Sequence, residues 1–204
     1  SGGSVVCTPG FNAFLFSPWV NEFRPTWYSA VPSMHHGILS CLSRFPGNPL
    51  ECKFRFVRSS SAALPTSIHR QLEEVFRAPV IEAYGMTEAS HQIVSCRVSS
   101  ETHRPGFVGN SKGTEVAIVD GKGKQLLPGN RGEIVIKGRN IMKGYVNNSK
   151  ANAESYFGKW FRTGDEGVLD ETGCLTLTGR IKEIINRGGE KVSPLEIDLV
   201  IQEH

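Results

Sequence analysis

The chain has 204 residues, of which 39% are hydrophobic and 21% charged, and a net charge of +3 from 23 basic and 20 acidic side chains. That balance is the one found in soluble globular proteins, at a length that fills one domain and part of a second. The basic residues form no block, which excludes the electrostatic footprint of a nucleic-acid binder, and no apolar run approaches the roughly 18 residues that span a bilayer.

Residues 5–8 are expected to form a short strand, 17–22 the start of a helix, and 27–31 a strand stopping at Pro32. Polar and apolar residues alternate over 52–57, and beyond Pro65 the positions Ile68, Leu72, Val75 and Phe76 fall at helical spacing. Residues 79–83 form a further strand that runs into Tyr84-Gly85-Met86-Thr87-Glu88. The β-α-β order implies a parallel pair. From residue 104 the chain turns to short strands punctuated by glycine, EVAIVD, GEIVIKG and GYV, with a brief helix opened by Asn148 or Ser149 and ending near Phe157. A hairpin follows: an apolar strand from Trp160 ending at Gly164-Asp165, the turn Glu171-Thr172-Gly173, and a second strand over 174–178. Ser193, Pro194 and Glu196 form a capping box for a last helix, whose Leu195, Ile197, Leu199, Val200 and Ile201 are expected to be mostly buried.

The fold class expected is therefore α/β. Residues 1–105 make the C-terminal part of a large α/β domain, 106–180 a β-rich subdomain, and 181–204 a hinge with the truncated beginning of a small α+β domain. The five cysteines show neither a CxxC pair nor the spacing of a zinc site, which points to free thiols in a reducing compartment. The N-terminus has neither the charged nor the apolar region of a signal peptide, and both ends have the look of cuts.

Three places can carry chemistry. The YGMTE turn follows a parallel strand, where α/β sheets bind ligands; Thr87 can donate to a phosphate oxygen and Glu88 can hold magnesium, or Thr87 can simply cap a backbone group. Asp165 suits two neighbouring ribose hydroxyls, or is a loop residue in a turn continued by Glu166-Gly167. Arg180 and Lys182 lie on one side of an extended chain, as nucleotide contacts or as a solvated strand edge.

YGMTE, GEIVIKGRNIMKGY, WFRTGD and GRIKEIINRGGEKVSPLEI, in this order, closely resemble the core motifs of the adenylate-forming enzymes, which include acyl-CoA synthetases, coumarate-CoA ligases, luciferases and nonribosomal adenylation domains. The resemblance runs from Trp27 to Glu196. It implies an AMP-forming ligase that uses ATP, Mg2+ and coenzyme A to convert a small carboxylic acid to a thioester through an acyl-adenylate. It further implies that Tyr84 and Gly85 border the adenine, Thr87 the AMP phosphate, Glu88 the magnesium, and that Asp165 and Arg180 hold the ribose. Lys182 becomes the hinge about which a small domain swings, and Gly188 and Gly189 the approach to coenzyme A, unless they form a simple turn.

The strings YSAVPSMHHGIL, FVRSSSAAL, AYGMTEASH and INRGGEKVSP are most similar to the oxalyl-CoA synthetases of plants and fungi. That resemblance assigns His35, Ser59, Ser60, Ser61 and His91 to the acid pocket, where histidine and serine would satisfy a second carboxylate that is costly to bury unpaired; His36 fits an ordinary loop position better. The family's Gly-rich phosphate loop does not occur before Trp27, and its terminal catalytic lysine would stand beyond His204, so the expectation is an internal piece, inactive alone. A truncated nucleotide-binding or interaction module, a coumarate-type ligase and a carrier-loading adenylation domain are the alternatives. Cytoplasmic location is expected, with a peroxisomal C-terminal address open beyond His204.

Overall fold

The computed structural model describes residues 2–45, 50–51, 53–98, 105–111, 113–187 and 190–201. Residues 5–8 form no strand: no described strand pairs with them, and Val5 is 84% exposed. The first helix begins earlier than expected, α1 at Ala13–Phe23, because the Asn12 side chain accepts the Phe14 N–H at 3.0 Å and caps it. A second helix, α2 at Pro32–Arg44, was not expected from the sequence. Its signals are Pro32 at the first turn and the buried trio His35, Ile38 and Leu39 at i, i+3 and i+4. In α3, Thr66–Phe76, the buried stripe is Ile68, His69, Leu72 and Phe76, while Val75 faces outward.

The three helices lie over a parallel sheet of β1 (Trp27–Ala30), β2 (Phe56–Ser60) and β3 (Val80–Tyr84). Between them Val20, Ile38, Leu39, Val57, Leu72 and Val80 form one core cluster, and Phe16, Tyr28, Phe54 and Phe76 meet at angles from tilted to edge-on. The sheet does not stop at β3. The two-residue β4 (Val94–Ser95) pairs antiparallel with β3 on one side and with β5 (Phe107–Ser111) on the other.

Beyond β5 the sheet continues through β10 (Leu175–Arg180), β9 (Trp160–Leu169), β7 (Arg131–Gly138) and β6 (Thr114–Val119), with β8 (Tyr156–Phe157) beside β9. These strands cover a second core of Val94, Val108, Ile118, Ile134, Ile136, Phe161 and Leu175. The α4 helix, Ser149–Ser155, is capped by the Asn148 side chain, as one of the two sequence readings had it. The GYV segment is not a strand: Asn152 Oδ1 and Nδ2 bond the Tyr145 N–H and C=O, taking both its backbone groups out of any ladder.

The strand from Trp160 also does not end at Gly164-Asp165 but runs to Leu169. Gly164 has φ +73°, and Thr163 Oγ1 accepts the Asp165 N–H at 3.1 Å while donating to the Ile134 carbonyl at 2.8 Å. This is a bulge, with the register against β7 shifting between Glu133 and Val135. Glu166-Gly167 therefore belongs to the ladder and not to a turn.

After β10 come a 3-10 turn (Ile181–Glu183), a hairpin of β11 (Ile185–Arg187) and β12 (Glu190–Val192), and α5 (Pro194–Ile201). The α5 helix starts where the capping motif places it, but Ser193 Oγ is buried and finds no partner among the described residues; its carbonyl accepts from Glu196 and Ile197 instead. Gly179 lacks the Cβ that would lie 2.4 Å from this hydroxyl, which lets Ser193 pack on β10. The helix is also less buried than expected: Ile197, Val200 and Ile201 are exposed. The fold is α/β, with a large mixed sheet followed by a small hairpin-helix unit.

Candidate nucleotide site

All five residues of β3 are buried, so Tyr84 enters the site from the centre of the sheet. Gly85 follows because nothing larger fits: a Cβ there would stand 2.0 Å from the His91 carbonyl oxygen. The chain folds back over this glycine through a 3-10 turn at Thr87–Ala89, closed by Ala89 and His91 N–H groups on the Met86 carbonyl, with Ser90 and His91 both at positive φ. The turn leaves Thr87 exposed and Glu88 half-buried.

A second segment straps this turn down. Asn140 Nδ2 donates to the carbonyls of Ala89 (3.0 Å) and Gln92 (3.2 Å), Ser90 Oγ donates to the Asn140 carbonyl (2.8 Å), and the Met142 N–H meets the Glu88 carbonyl (2.8 Å). Tyr145 then donates its hydroxyl to Glu88 Oε1 at 2.8 Å. That bond to a carboxylate, more than burial, raises the Tyr145 pKa. Asn140 and Tyr145 were not among the residues picked out from the sequence; the signal for them lay in the GRNIMKGY string that β7 runs into.

Asp165 stands opposite. It is 9% exposed, and its two oxygens are held from different sides: Oδ2 accepts the Tyr84 hydroxyl at 2.7 Å and Oδ1 the Arg180 Nε at 3.1 Å. The strand register sets the second contact, since Asp165 and Arg180 are paired positions of β9 and β10. Burial first, then the charge and hydrogen bond of Asp165, push the Tyr84 pKa far up, so the phenol stays protonated and a donor. Each carboxylate oxygen keeps a lone pair for a further donor, the acceptor chemistry that a vicinal diol requires. Tyr84, Gly85, Thr87, Glu88, Asp165 and Arg180 thus converge from β3, its following turn and the β9–β10 ladder.

Lys182 is exposed in the 3-10 turn directly after β10. Gly188 and Gly189 lie outside the described residues. The five positions expected to line an acid pocket do not share one surface. Ser60, Ser61 and His91 sit at the open carboxyl ends of β2 and β3, with Ser61 and His91 at positive φ. His35 is fully buried on the same stripe of α2 as Ile38 and Leu39, its Nδ1 3.1 Å from the Tyr28 hydroxyl, and burial pushes its pKa down to about 4. Ser59 alternates with Ser60 along β2 and so points with Val57 into the helix-covered side.

A divalent cation fits the turn by its donor set. No group of three or more His, Cys, Asp or Glu side chains that could hold a metal exists among the described residues. Glu88 offers one carboxylate with an oxygen left over beside the exposed Thr87 hydroxyl, and magnesium is commonly bound by one or two carboxylates plus phosphate oxygens. Among the described residues, no helix is long and apolar enough to cross a membrane, and Cys7, Cys41 and Cys96 are free thiols.

The sequence is 47% identical to the oxalate-CoA ligase of Arabidopsis thaliana, over 99% of this chain and 40% of that protein. It is 45% identical to the oxalate-CoA ligase of Saccharomyces cerevisiae, over 99% of this chain and 37% of that one. The fold superposes with a TM-score of 0.81 on an O-succinylbenzoate coenzyme A synthetase from Bacillus subtilis in complex with ATP and magnesium ion, at 31% identity, covering 95% of this chain and 40% of the other. The chain thus spans about 40% of the length of the relatives it matches. The sequence model of the AMP-binding enzymes matches residues 1–146, and with the strapped YGMTE turn and the Asp165 clamp in place the chain belongs to the AMP-binding enzyme family.

Proposed function

We propose that the protein carrying this chain is an AMP-forming acid-thiol ligase, which activates a small polar carboxylic acid such as oxalate and passes it to coenzyme A. The observation that carries this reading is the convergence of Tyr84, Asp165 and Arg180 with the Thr87-Glu88 turn at the carboxyl end of a parallel strand. The identity to oxalate-CoA ligases of a plant and a yeast supports the acid.

A carboxylate becomes an electrophile only when one of its oxygens becomes a leaving group. In the first step the acid's oxygen attacks the ATP α-phosphorus, the bond to the bridging oxygen breaks, and pyrophosphate leaves. In the second step a thiolate attacks the acyl carbon and AMP leaves. Phosphoryl transfer asks the protein mainly to position groups and neutralise charge. Asp165 accepts the ribose hydroxyls while Tyr84 and Arg180 hold its carboxylate in place. Thr87 donates to the α-phosphate and Glu88, oriented by Tyr145, holds magnesium, which supplies charge neutralisation to the phosphates. Ser60, Ser61 and His91 face the acid; His35 and Ser59 support that wall from behind. Lys182 is the pivot between the two steps, and Gly188 and Gly189 line the path of the pantetheine. Residues 1–105, 106–180 and 181–204 serve as the end of the large domain, its β-rich subdomain, and the hinge with the start of the small domain.

The test is pyrophosphate exchange and thioester formation by a protein of the relatives' length, offered oxalate, acetate, malonate, coumarate and octanoate with ATP and coenzyme A. Oxalate is expected to lead. A preference for octanoate or coumarate would refute the polar pocket, and the 204 residues alone are expected to give no exchange.

A further inference from the structure

On the side of the sheet away from the helices lies a group of donors not yet accounted for. Arg58 Nη1 donates to Ser29 Oγ at 3.0 Å and to Ser60 Oγ at 3.1 Å. The three residues share a face by register: Ser29 of β1 is the direct partner of Arg58, and Ser60 is two positions along the same strand. The guanidinium is half-buried, and no described carboxylate lies within ion-pair distance of it. Both hydroxyls spend a lone pair on Arg58 and keep their protons to donate, so the group offers several donors and carries a net positive charge. Loss of solvent lowers the Arg58 pKa, with no anion to offset it.

Its place in the sheet is as telling as its chemistry. Ser60 is the last residue of β2 and the register partner of Ala83, the residue before Tyr84, so it stands one strand spacing, about 4.8 Å, from the start of the nucleotide site. We propose that Arg58, Ser29 and Ser60 form the subsite for the second carboxylate of a dicarboxylic substrate. This rests on the acid-ligase reading above and adds to it a charge that the serines lack. A planar guanidinium takes a carboxylate in a fixed two-point geometry, which selects a diacid over a monoacid of equal size.

The experiment uses the protein of the relatives' length and compares oxalate with acetate in the wild type, Arg58→Gln and Arg58→Lys. Arg58→Gln is expected to raise the oxalate KM about 10- to 100-fold, the loss of one charged hydrogen-bonding partner, and to leave the KM for ATP and the weak use of acetate unchanged. Arg58→Lys should fall between the two, because it keeps the charge and loses the fork. Equal losses for both acids, or no loss for oxalate, would overturn the proposal and leave Arg58 as a structural ion-pair partner for another part of the protein. A wild type that activates no acid would instead sink the ligase reading. Calorimetry of oxalate binding then judges Arg58 by itself: loss of binding in Arg58→Gln supports the subsite, and unchanged binding refutes it.

Discussion

Removing the Asp165 carboxylate tests the clamp through its energetic coupling to Tyr84. In Asp165→Ala the buried Tyr84 hydroxyl loses its 2.7 Å acceptor, at a cost of about 1–3 kcal/mol for an unsatisfied polar group. The Arg180 pair adds little, about 0–1 kcal/mol, since that side chain is 68% exposed. The sum is roughly 1–4 kcal/mol, or a Tm lower by about 2–16 °C at this chain size. Tyr84→Phe removes the same bond from the other side. The double variant Tyr84→Phe/Asp165→Ala should therefore be no worse than Asp165→Ala, because no hydroxyl remains to be stranded. Urea melts of the four proteins close the cycle, with an expected coupling of about 1–2 kcal/mol. Additivity within about 0.5 kcal/mol would refute a buried Tyr84–Asp165 bond. Titration with a non-hydrolysable ATP analogue, followed on the same proteins, should show Asp165→Ala binding at least about 10-fold more weakly.

Glu82 is buried at the centre of β3, accepts the Gly106 N–H at 2.8 Å, and is pushed by burial from 4.5 to about 7. Between these values the folded chain keeps a proton that the unfolded chain has released, so this group's contribution is full below pH 4.5 and is lost as pH rises to 7. His35 runs the other way: held at about 4 against an ordinary 6.5, it makes stability fall as pH drops through that window. The two slopes oppose each other between pH 4.5 and 6.5. Glu82→Gln should unmask the His35 slope, up to about 1.4 kcal/mol per pH unit, in urea midpoints at pH 4.5, 5.5 and 6.5; parallel profiles for wild type and variant would refute the argument. Tyr145→Phe should raise the magnesium needed for half-maximal activity about 3- to 10-fold, with melting temperature unmoved because Tyr145 is 37% exposed; an unchanged magnesium titration would remove Tyr145 as the group that orients Glu88.

Periodic and turn-coded elements were the legible ones. Ile68, Leu72 and Phe76 mark α3, and the Asp170 side chain accepts the Thr172 and Cys174 N–H groups in the hairpin turn that its sequence encodes. The α2 helix was hidden because its stripe includes a histidine, His35, that only burial beside Tyr28 explains. Gly164-Asp165 had the look of a strand end because a glycine at positive φ inside a ladder is a bulge only when Ile134 is there to receive Thr163. Within the site, the sequence singled out Tyr84, Thr87, Glu88 and Asp165 on their motif strings but not Asn140 and Tyr145, which stand on another of those strings. Tyr145 lies 57 positions from Glu88, and no local spacing couples them. The same holds for β4, two residues long, whose pairing with β5 turns a parallel sheet into one that reaches Asp165.

The Tyr84–Asp165 bond joins positions 81 apart, and it forms only when β4, β5, β10 and β9 have been laid down in order between them. Bringing together contacts of such separation is slow, since chain entropy is lost before the contact rewards it. During synthesis from the N-terminus, β3 and its YGMTE turn emerge well before β9, so the turn exists for a time without its counterpart. The candidate site is then an end-of-assembly feature: a nascent chain halted before residue 165 has its YGMTE turn but no carboxylate to receive the Tyr84 hydroxyl.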